Sequence, residues 1–241
     1  MVLKIYGNAF KVLMKKPIRL WGISLLSGIL SSVFSVLFGA VIGVSLAIGM
    51  LFTTSMTMIF LYGYRGQDVK AVDIFSCFKD WGTIKRVLCG MGWMMLWIFI
   101  WSLIPIVGPI FAIIRTYEYR LTPYILVQEP NIAPTEAIKV SKERTMGYKA
   151  SMFLADFLFG LAFGVVALVL TLLGLIPYVG VLFAIVLFAV SVLYALFANL
   201  FLGLVQAAFY EGINNAAVCP QCGARIDDKA SFCGKCGCKL N

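Results

Sequence analysis

The chain has 241 residues, of which only 13% are charged, and its mean hydropathy is +0.95. Ordinary soluble domains carry about 25% charged residues, so the composition excludes a soluble globular fold. The net charge of +9 is concentrated between apolar blocks, as in the cytoplasmic loops of membrane proteins. We therefore expect the basic residues to set membrane orientation, and we expect no nucleic-acid partner.

Residues 1–17 are predicted to form an amphipathic helix on the membrane surface. Lys4, Lys11 and Lys15 recur at helical spacing, apolar side chains occupy much of the remaining turn, and Pro17 ends the pattern. A solvated basic tail is the alternative. The apolar run that follows is too long for a cleaved signal peptide, so we expect the first span to remain as a signal anchor.

The multi-pass membrane domain is predicted to cover residues 18–212 with about six transmembrane helices. No charged residue lies between Arg19 and Arg65. As one helix this stretch would be about 70 Å long, more than twice the apolar thickness of a bilayer, so it must fold back into two spans. The predicted spans are about 18–39, 43–64, 87–105, 109–128, 150–174 and 181–210.

Two further surface helices are predicted between the spans. In residues 66–86, apolar residues recur at steps of three and four with charged residues between them, which indicates an amphipathic helix closed by Gly82. In residues 130–149, Pro134 fits the first helical position and Gly147 lies near the end. Both helices are expected on the cytoplasmic surface.

Two similar sequence strings lie at the ends of the third and the fifth predicted spans. LIPIVGPIFAI occupies residues 103–113 and LIPYVGVLFAI occupies residues 175–185. The match predicts a repeated helical hairpin with Pro and Gly in the turn, and chance similarity is the alternative. If the repeat is real, residues 109–128 are the returning arm of the first hairpin. Six spans then place both termini in the cytoplasm of a cell-membrane protein.

Four ionisable residues are predicted at membrane depth. Arg115, Glu118 and Arg120 lie inside the predicted fourth span, and Asp156 lies just inside the fifth. The same constellation includes Tyr117, Tyr119 and Tyr124. Arg115 and Glu118 are one helical turn apart, and Asp156 is a plausible partner of Arg120. Arg120 is expected near the middle of the membrane. The network is either a satisfied structural element or the lining of a polar path.

Several short strings between residues 4 and 212 occur together in one known family. They are Asp73-Ile74-Phe75, LIPIVGPI at 103–110, Pro123-Tyr124-Ile125-Leu126, Glu136-Ala137-Ile138, Ser141, Met146-Gly147-Tyr148-Lys149 and Phe209-Tyr210. On these strings the chain resembles the uncharacterised membrane proteins of domain-of-unknown-function family 975. The resemblance implies a multi-pass membrane protein and no established reaction. The chain departs from the family at Ile104-Pro105-Ile106, where many members have Ile-Pro-Gly, and at Ala133, where they have Ser.

The tail carries the most specific motif of the chain. After a linker at 213–218, residues 219–241 contain two C-x-x-C pairs, each followed by Gly, and their thiols are Cys219, Cys222, Cys233 and Cys236. Four thiolates at this spacing suit tetrahedral zinc, and so short a segment cannot otherwise bury a core. We predict a zinc ribbon with a structural Zn²⁺, and iron is the competing metal.

The other three cysteines are not expected to bind metal. Cys238 is an extra thiol beside the ligands, and Cys77 and Cys89 lie in apolar sequence where packing is the usual role. A disulfide framework is disfavoured because the tail is predicted to be cytoplasmic, where thiols stay reduced.

The sequence points to no enzymatic activity. It contains no histidine, which removes the usual Ser-His and Cys-His nucleophile pairs, and it has no phosphate-binding loop motif. We expect a non-enzymatic accessory or envelope-homeostasis protein whose zinc ribbon binds a cytoplasmic protein. The alternative is a small transporter or channel that uses the charges in the fourth and fifth spans. The sequence does not indicate an oligomeric state.

Overall fold

The described part of the chain is almost entirely helical, as predicted. The computed structural model describes residues 2–15, 17–39, 41–105, 107–176, 178, 180–215, 221, 232 and 236–239, with only the backbone at 17, 18 and 35. The α-helices are α1 (Val2–Lys15), α2 (Pro17–Phe38), α3 (Ile42–Tyr64), α4 (Trp81–Ser102), α5 (Gly108–Glu118), α6 (Thr122–Gln128), α7 (Ala137–Arg144), α8 (Lys149–Gly174) and α9 (Gly180–Asn214). A 3₁₀ helix at Ala71–Phe78 lies between α3 and α4.

Three antiparallel hairpins form the body of the fold. They are α2 with α3, α4 with α5, and α8 with α9, and α9 also packs against α1, α2 and α3. Five of the described helices, namely α2, α3, α4, α8 and α9, are long and apolar enough to span a membrane. Apolar side chains such as Leu182, Ile185 and Phe188 are more than half exposed on α9. A surface of this kind suits lipid, so the predicted all-α polytopic membrane fold is confirmed.

The two copies of the sequence repeat form equivalent turns. The amide of Gly108 donates to the carbonyl oxygen of Ile104 at 2.9 Å, and the amide of Gly180 donates to that of Ile176 at 2.9 Å. A Cβ on Gly108 would lie 2.6 Å from the carbonyl oxygen of Trp101, and one on Gly180 only 2.2 Å from that of Gly174. Both glycines therefore allow the returning helix to start against the end of the previous one. The predicted repeated hairpin is confirmed.

The predicted fourth span, residues 109–128, is not one continuous helix. α5 ends at Glu118, residues 119–121 form a turn, and α6 begins at Thr122. Pro123 lies in the first turn of α6, where its missing N–H does no harm, whereas inside a continuous helix it would break a hydrogen bond. The continuous helix expected over residues 109–128 is therefore wrong, because Arg120 lies in a turn, whereas its position near the middle of the membrane stays a prediction.

The broken arm nevertheless returns to the end of the bundle where α4 begins. Arg86, near the start of α4, donates to the carbonyl oxygens of Leu126 at 2.8 Å and Glu129 at 2.6 Å. At the same end, Arg65 after α3 pairs with Glu211 of α9 at 2.6 Å. We call this the charged end. The three hairpin turns lie at the opposite end, and the sequence has no Asp, Glu, Lys or Arg in 20–64, 87–114 or 157–210.

The predicted surface helix at 66–86 is shorter and more buried than expected. It is a 3₁₀ helix of eight residues, and Gly82 belongs to the first turn of α4 instead of closing it. Ile74 and Cys77 are fully buried, and Phe75 and Phe78 pack with Phe52 of α3. Burial raises the pKa of the Cys77 thiol. This supports the prediction that Cys77 is a packing residue.

The remaining two surface helices differ in how far the prediction holds. α7 starts at Ala137, so Pro134 precedes the helix instead of opening it, and Gly147 lies beyond its end at a φ of +83°. α1 is helical as predicted, but it does not lie free on a surface. Its Tyr6 ring packs on Phe201 of α9 at 5.4 Å. The exposed side of α1 carries both apolar and basic residues, namely Leu3, Lys4, Phe10, Lys11, Met14 and Lys15.

Cysteine labelling tests whether the broken arm crosses the membrane. In a background with the seven natural cysteines replaced, we expect Val107→Cys to react with a membrane-impermeant maleimide in intact cells. Asn131→Cys should react only after permeabilisation, because the arm returns to the charged end. Both side chains are exposed. Position 108 is unsuitable because a Cβ there would clash with the Trp101 carbonyl. Reaction of both positions in intact cells would place the arm on the outer surface.

Candidate functional site

The turn between α5 and α6 is organised around the Glu118 carboxylate. Glu118 is 5% exposed, and one carboxylate oxygen accepts a hydrogen bond from Lys149 Nζ at 2.6 Å. The other accepts from Arg115 Nη1, one helical turn earlier, so the pairing predicted for these two residues is present. A carboxylate this buried would be expensive without partners. Two cations hold it, one from its own helix and one from the start of α8.

Two hydroxyls of α7 bind the backbone that the helix break leaves open. Ser141 Oγ donates to the carbonyl oxygen of Glu118 at 2.8 Å and accepts from the amide of Leu121 at 3.2 Å. Thr145 Oγ1 also reaches the Glu118 carbonyl oxygen, at 3.2 Å. Both hydroxyl residues are fully buried. Unpaired backbone groups are costly in an apolar interior, so the hydroxyls of α7 are needed at the point where α5 ends.

A second charge cluster joins the turn to α8. Arg120 Nη1 donates to Asp156 Oδ2, the pairing expected from the sequence. The Tyr117 hydroxyl donates to the same oxygen at 3.0 Å, and the Arg120 guanidinium lies 4.9 Å from the centre of the Tyr117 ring. The carbonyl oxygen of Ala155, the residue directly before Asp156, accepts a hydrogen bond from the Tyr6 hydroxyl. The cluster therefore connects α1, α5 and α8.

Tyr6 remains a hydrogen-bond donor at neutral pH. Burial and, to a smaller extent, the negative charge of Asp156 raise the pKa of the Tyr6 phenol. The ring also packs against α9. This tyrosine therefore fixes the N-terminal helix to the last two helices of the chain.

The geometry leaves little room for a ligand beside these charges. The cavity next to Arg120 and Asp156, which Tyr124, Gln206 and Phe209 also line, has a volume of about 10 Å³. That is about the space that a single water needs. Gln206, which lines this cavity, lies five residues before Glu211 on α9. Glu211 pairs with Arg65 at the charged end. The cluster of Arg120 and Asp156 is therefore about 8 Å along α9 from the charged end.

A third set of ion pairs ties the surface segments to the end of α9. Arg144 of α7 pairs with both carboxylate oxygens of Glu129, one of them at 2.6 Å. Arg65 bridges Glu211 at 2.6 Å and the Gln128 side-chain oxygen at 3.2 Å. Arg65 and Arg144, two of the basic residues between the predicted spans, thus lie with acidic partners at the charged end.

Sequence reasoning named four charged residues and Tyr117 in this region and missed three others. Arg115, Glu118, Arg120 and Asp156 fall into two clusters. Tyr117 completes the cluster of Arg120 and Asp156. Lys149 completes the cluster of Glu118, whose carbonyl oxygen Ser141 and Thr145 bind. Lys149 had been placed only at the end of the predicted surface helix at 130–149. Pro123, three residues after Arg120, was the available signal for a helix break and hence for capping groups elsewhere.

The tail is described only in part. Cys219, Cys222 and Cys233 lie outside the described residues, and Cys236 is exposed in a turn. Phe232 and Lys239 form an isolated antiparallel bridge, and Gly237 has a φ of +71°. The bridge closes a short loop that contains the second cysteine pair, and the left-handed glycine directly after Cys236 is the residue type this backbone requires.

Comparison with known proteins identifies this tail. Residues 218–240 match the family model of the zinc-ribbon domain. Neither the curated proteins nor the solved structures gave a match to the chain. A zinc-ribbon domain is therefore present at the C-terminus, whereas the resemblance of residues 4–212 to domain-of-unknown-function family 975 stays a prediction.

Removing either partner of the Arg120–Asp156 pair should destabilise the protein. About a fifth of each side chain is exposed, so we expect Arg120→Met or Asp156→Leu to lower the free energy of unfolding in detergent by about 2–3 kcal/mol. The double variant should recover most of this loss because it leaves no unpaired charge. Arg19→Met is the matched control, since the Arg19–Asp68 pair is exposed and is worth about 0–1 kcal/mol. Equal stability of all variants would contradict a structural pair.

Removing the two α7 hydroxyls should lower the free energy of unfolding by an amount comparable to the loss of the Arg120–Asp156 pair, because these hydroxyls bind backbone groups. Ser141→Ala with Thr145→Val leaves the Glu118 carbonyl and the Leu121 amide without these partners, and each such buried group costs about 1–3 kcal/mol. The midpoint of chemical denaturation should fall accordingly. Thr116→Val is the control, because the exposed Thr116 hydroxyl bonds only to its own helix. A midpoint unchanged from wild type would show that α7 does not cap the break.

Proposed function

We propose that this chain is a non-enzymatic accessory protein of the cell membrane that presents a zinc ribbon to a cytoplasmic protein. The observation that carries the proposal is the short stretch of chain between the end of α9 and the ribbon. α9 ends at Asn214, and Cys219 is five residues further on. Five residues reach at most about 18 Å, so the length of the chain limits how far the first cysteine of the ribbon can lie from the charged end.

The pairing of the ionisable groups supports a structural role for the membrane part. Glu118 is held by two cations, and Asp156 by Arg120 and Tyr117. Groups engaged in this way fix the positions of α5, α7 and α8. We assign them to the assembly of the bundle, which positions the terminal module at the membrane surface.

The residues of the ribbon fit a structural zinc ion. The proposed ligands are the thiolates of Cys219, Cys222, Cys233 and Cys236. The closed loop around the second pair and the glycine after Cys236 are consistent with a metal-binding knuckle. Zinc would supply the folding energy that a segment of this size lacks. An iron site would give the visible absorption of a ferric tetrathiolate, so an optical spectrum together with metal analysis distinguishes the two metals.

The charged end is proposed to face the cytoplasm. The basic residues concentrate there and the hairpin turns carry no charge, which follows the positive-inside rule. Each of the three hairpins begins and ends at this end of the bundle, which is consistent with both termini on one side of the membrane. The surface available to a partner would then comprise the ribbon, α7, the first turn of α2 around Arg19 and the loop that follows α3 at Arg65.

A small transporter is the alternative function. It would require the charges of the α5–α6 turn and α8 to contact a passing solute. Their mutual pairing and the cavity of about 10 Å³ beside them favour the structural role. The stability measurements on Arg120 and Asp156 separate the two: loss of flux in a variant of unchanged stability would support transport.

Substitution of the proposed cysteine ligands tests the role of the zinc ribbon. We expect the full chain to hold about one zinc per molecule and to retain a cytoplasmic partner on an affinity resin. Cys233→Ser with Cys236→Ser should lose both the metal and the partner, while the detergent-extracted membrane part stays folded. Cys238→Ser is the matched control, because this thiol lies outside the two C-x-x-C pairs.

Two results would count against the proposal. Partner capture that survives loss of the metal would move the interaction surface to the membrane domain. Zinc loss in Cys238→Ser equal to that in the double variant would show that the ligand set is wrong.

A further inference from the structure

A second cavity of about 370 Å³ lies between α2, α3 and α9. Its volume is within the range of small-molecule sites. Each of the three helices lines it with uncharged polar residues at helical spacing: Ser24, Ser27 and Ser31 on α2, Thr53 and Thr57 on α3, and Asn199 and Gln206 on α9. All three lie in segments predicted as spans. The sequence analysis assigned none of these residues a role.

Most of these polar groups have no hydrogen-bond partner among the residues that the structure describes. Ser24 and Ser27 are 7% and 4% exposed, yet in the described part of the chain their hydroxyls make no hydrogen bond, and neither do the side-chain amides of Asn199 and Gln206. Thr57, in contrast, donates to its own helix at the Thr53 carbonyl. The cavity leaves these groups open to an occupant, and one that forms hydrogen bonds would satisfy them.

The lining restricts the chemistry of that occupant. None of the residues that line the cavity is charged, so nothing there would compensate a charged ligand. Serine and threonine hydroxyls and the two amides both donate and accept, which matches the hydroxyl groups of a polyol or sugar. Tyr124 and Gln206 form the wall towards the Arg120–Asp156 pair, since they also line the small cavity beside it.

The cavity opens on the apolar surface of the bundle. Thr53 and Asn199, which line it, are exposed, and α2 and α9 also carry exposed apolar side chains such as Leu26, Ile29 and Val192. Gly203, also in the lining, packs against the Phe60 ring, where a Cβ would lie 2.3 Å from a ring carbon. A polar opening on helices with exposed apolar side chains is accessible to a group that is carried within the membrane.

We propose that this cavity binds an uncharged, hydroxyl-rich group. The inference is independent of the zinc ribbon and of its partner. The group comes either from the head of a neutral glycolipid, which would enter sideways from the bilayer, or from a free sugar or polyol. Both sources share the same recognition by Ser24, Ser27, Asn199 and Gln206.

Photo-crosslinking in vesicles tests the proposal. The full chain is reconstituted in phosphatidylcholine with a photoreactive monoglucosyl diacylglycerol, and in parallel with a photoreactive phosphatidylglycerol of the same acyl chains. We expect the neutral probe to label peptides of α2, α3 and α9 at least about five-fold more than the anionic probe, the factor that one hydrogen bond of about 1 kcal/mol provides. Competition by free glucose would identify an aqueous source, and its absence would identify the lipid headgroup.

Two single variants and one control variant test whether the labelling occurs in the cavity. Ser27→Leu fills it from α2, and Asn199→Leu removes an amide at its exposed rim, where a change of fold is not expected. Each should reduce labelling by the neutral probe about five-fold. Ser32→Leu is the control, because the Ser32 side chain is exposed and bonds to its own helix at Gly28. The unfolding midpoint of each variant is measured in detergent alongside.

Two outcomes would overturn the proposal. Equal labelling by both probes, unaffected by Asn199→Leu in a folded protein, would mean that acyl chains or lipid in general contact this surface. Absence of specific labelling together with absence of glucose competition would mean that the cavity holds water only.

Discussion

The buried carboxylate of Glu118 is the contact on which the arrangement of this membrane domain depends. It fixes the end of α5 to the start of α8 through Lys149, and the carbonyl of the same residue is bound by Ser141 and Thr145 of α7. Three elements that are distant in the sequence thus meet at one residue. Because a buried carboxylate without partners is strongly unfavourable, each of these elements is held in place by the others.

The broken helix explains why the segment between α6 and α8 folds back onto the bundle. A continuous helix would satisfy its own backbone, and α7 would then have no polar surface to bind. With the break at residues 119–121, α5 ends inside the protein and needs hydroxyl groups from another element. The same break directs the Arg120 side chain towards α8. The ion pair with Asp156 then connects the two later hairpins.

Much of the architecture could be predicted from the sequence because membrane helices are constrained by length and charge. The uncharged stretch between Arg19 and Arg65 required a hairpin, and the repeated Pro-Gly strings located two further turns. The Arg120–Asp156 pair followed from opposite charges in apolar surroundings. The helix break did not follow, although Pro123 was a signal for it. The cavity could not be predicted, because serines on α2 become a site only when α3 and α9 place other polar groups opposite them. In the tail, the cysteine spacing sufficed to predict the zinc ribbon that residues 218–240 match.

The uncharged hairpin turns bear on how the protein enters the membrane. The segments 39–43, 103–113 and 174–181 contain no Asp, Glu, Lys or Arg, whereas each such residue near the centre of a bilayer costs about 2.5–3.5 kcal/mol on insertion scales. Each pair of helices can therefore be inserted as a unit, turn first, without transferring a charge across the hydrocarbon. In the proposed orientation, the basic residues that flank each pair remain on the cytoplasmic side. Insertion of a hairpin would then not require the ion pairs of the charged end.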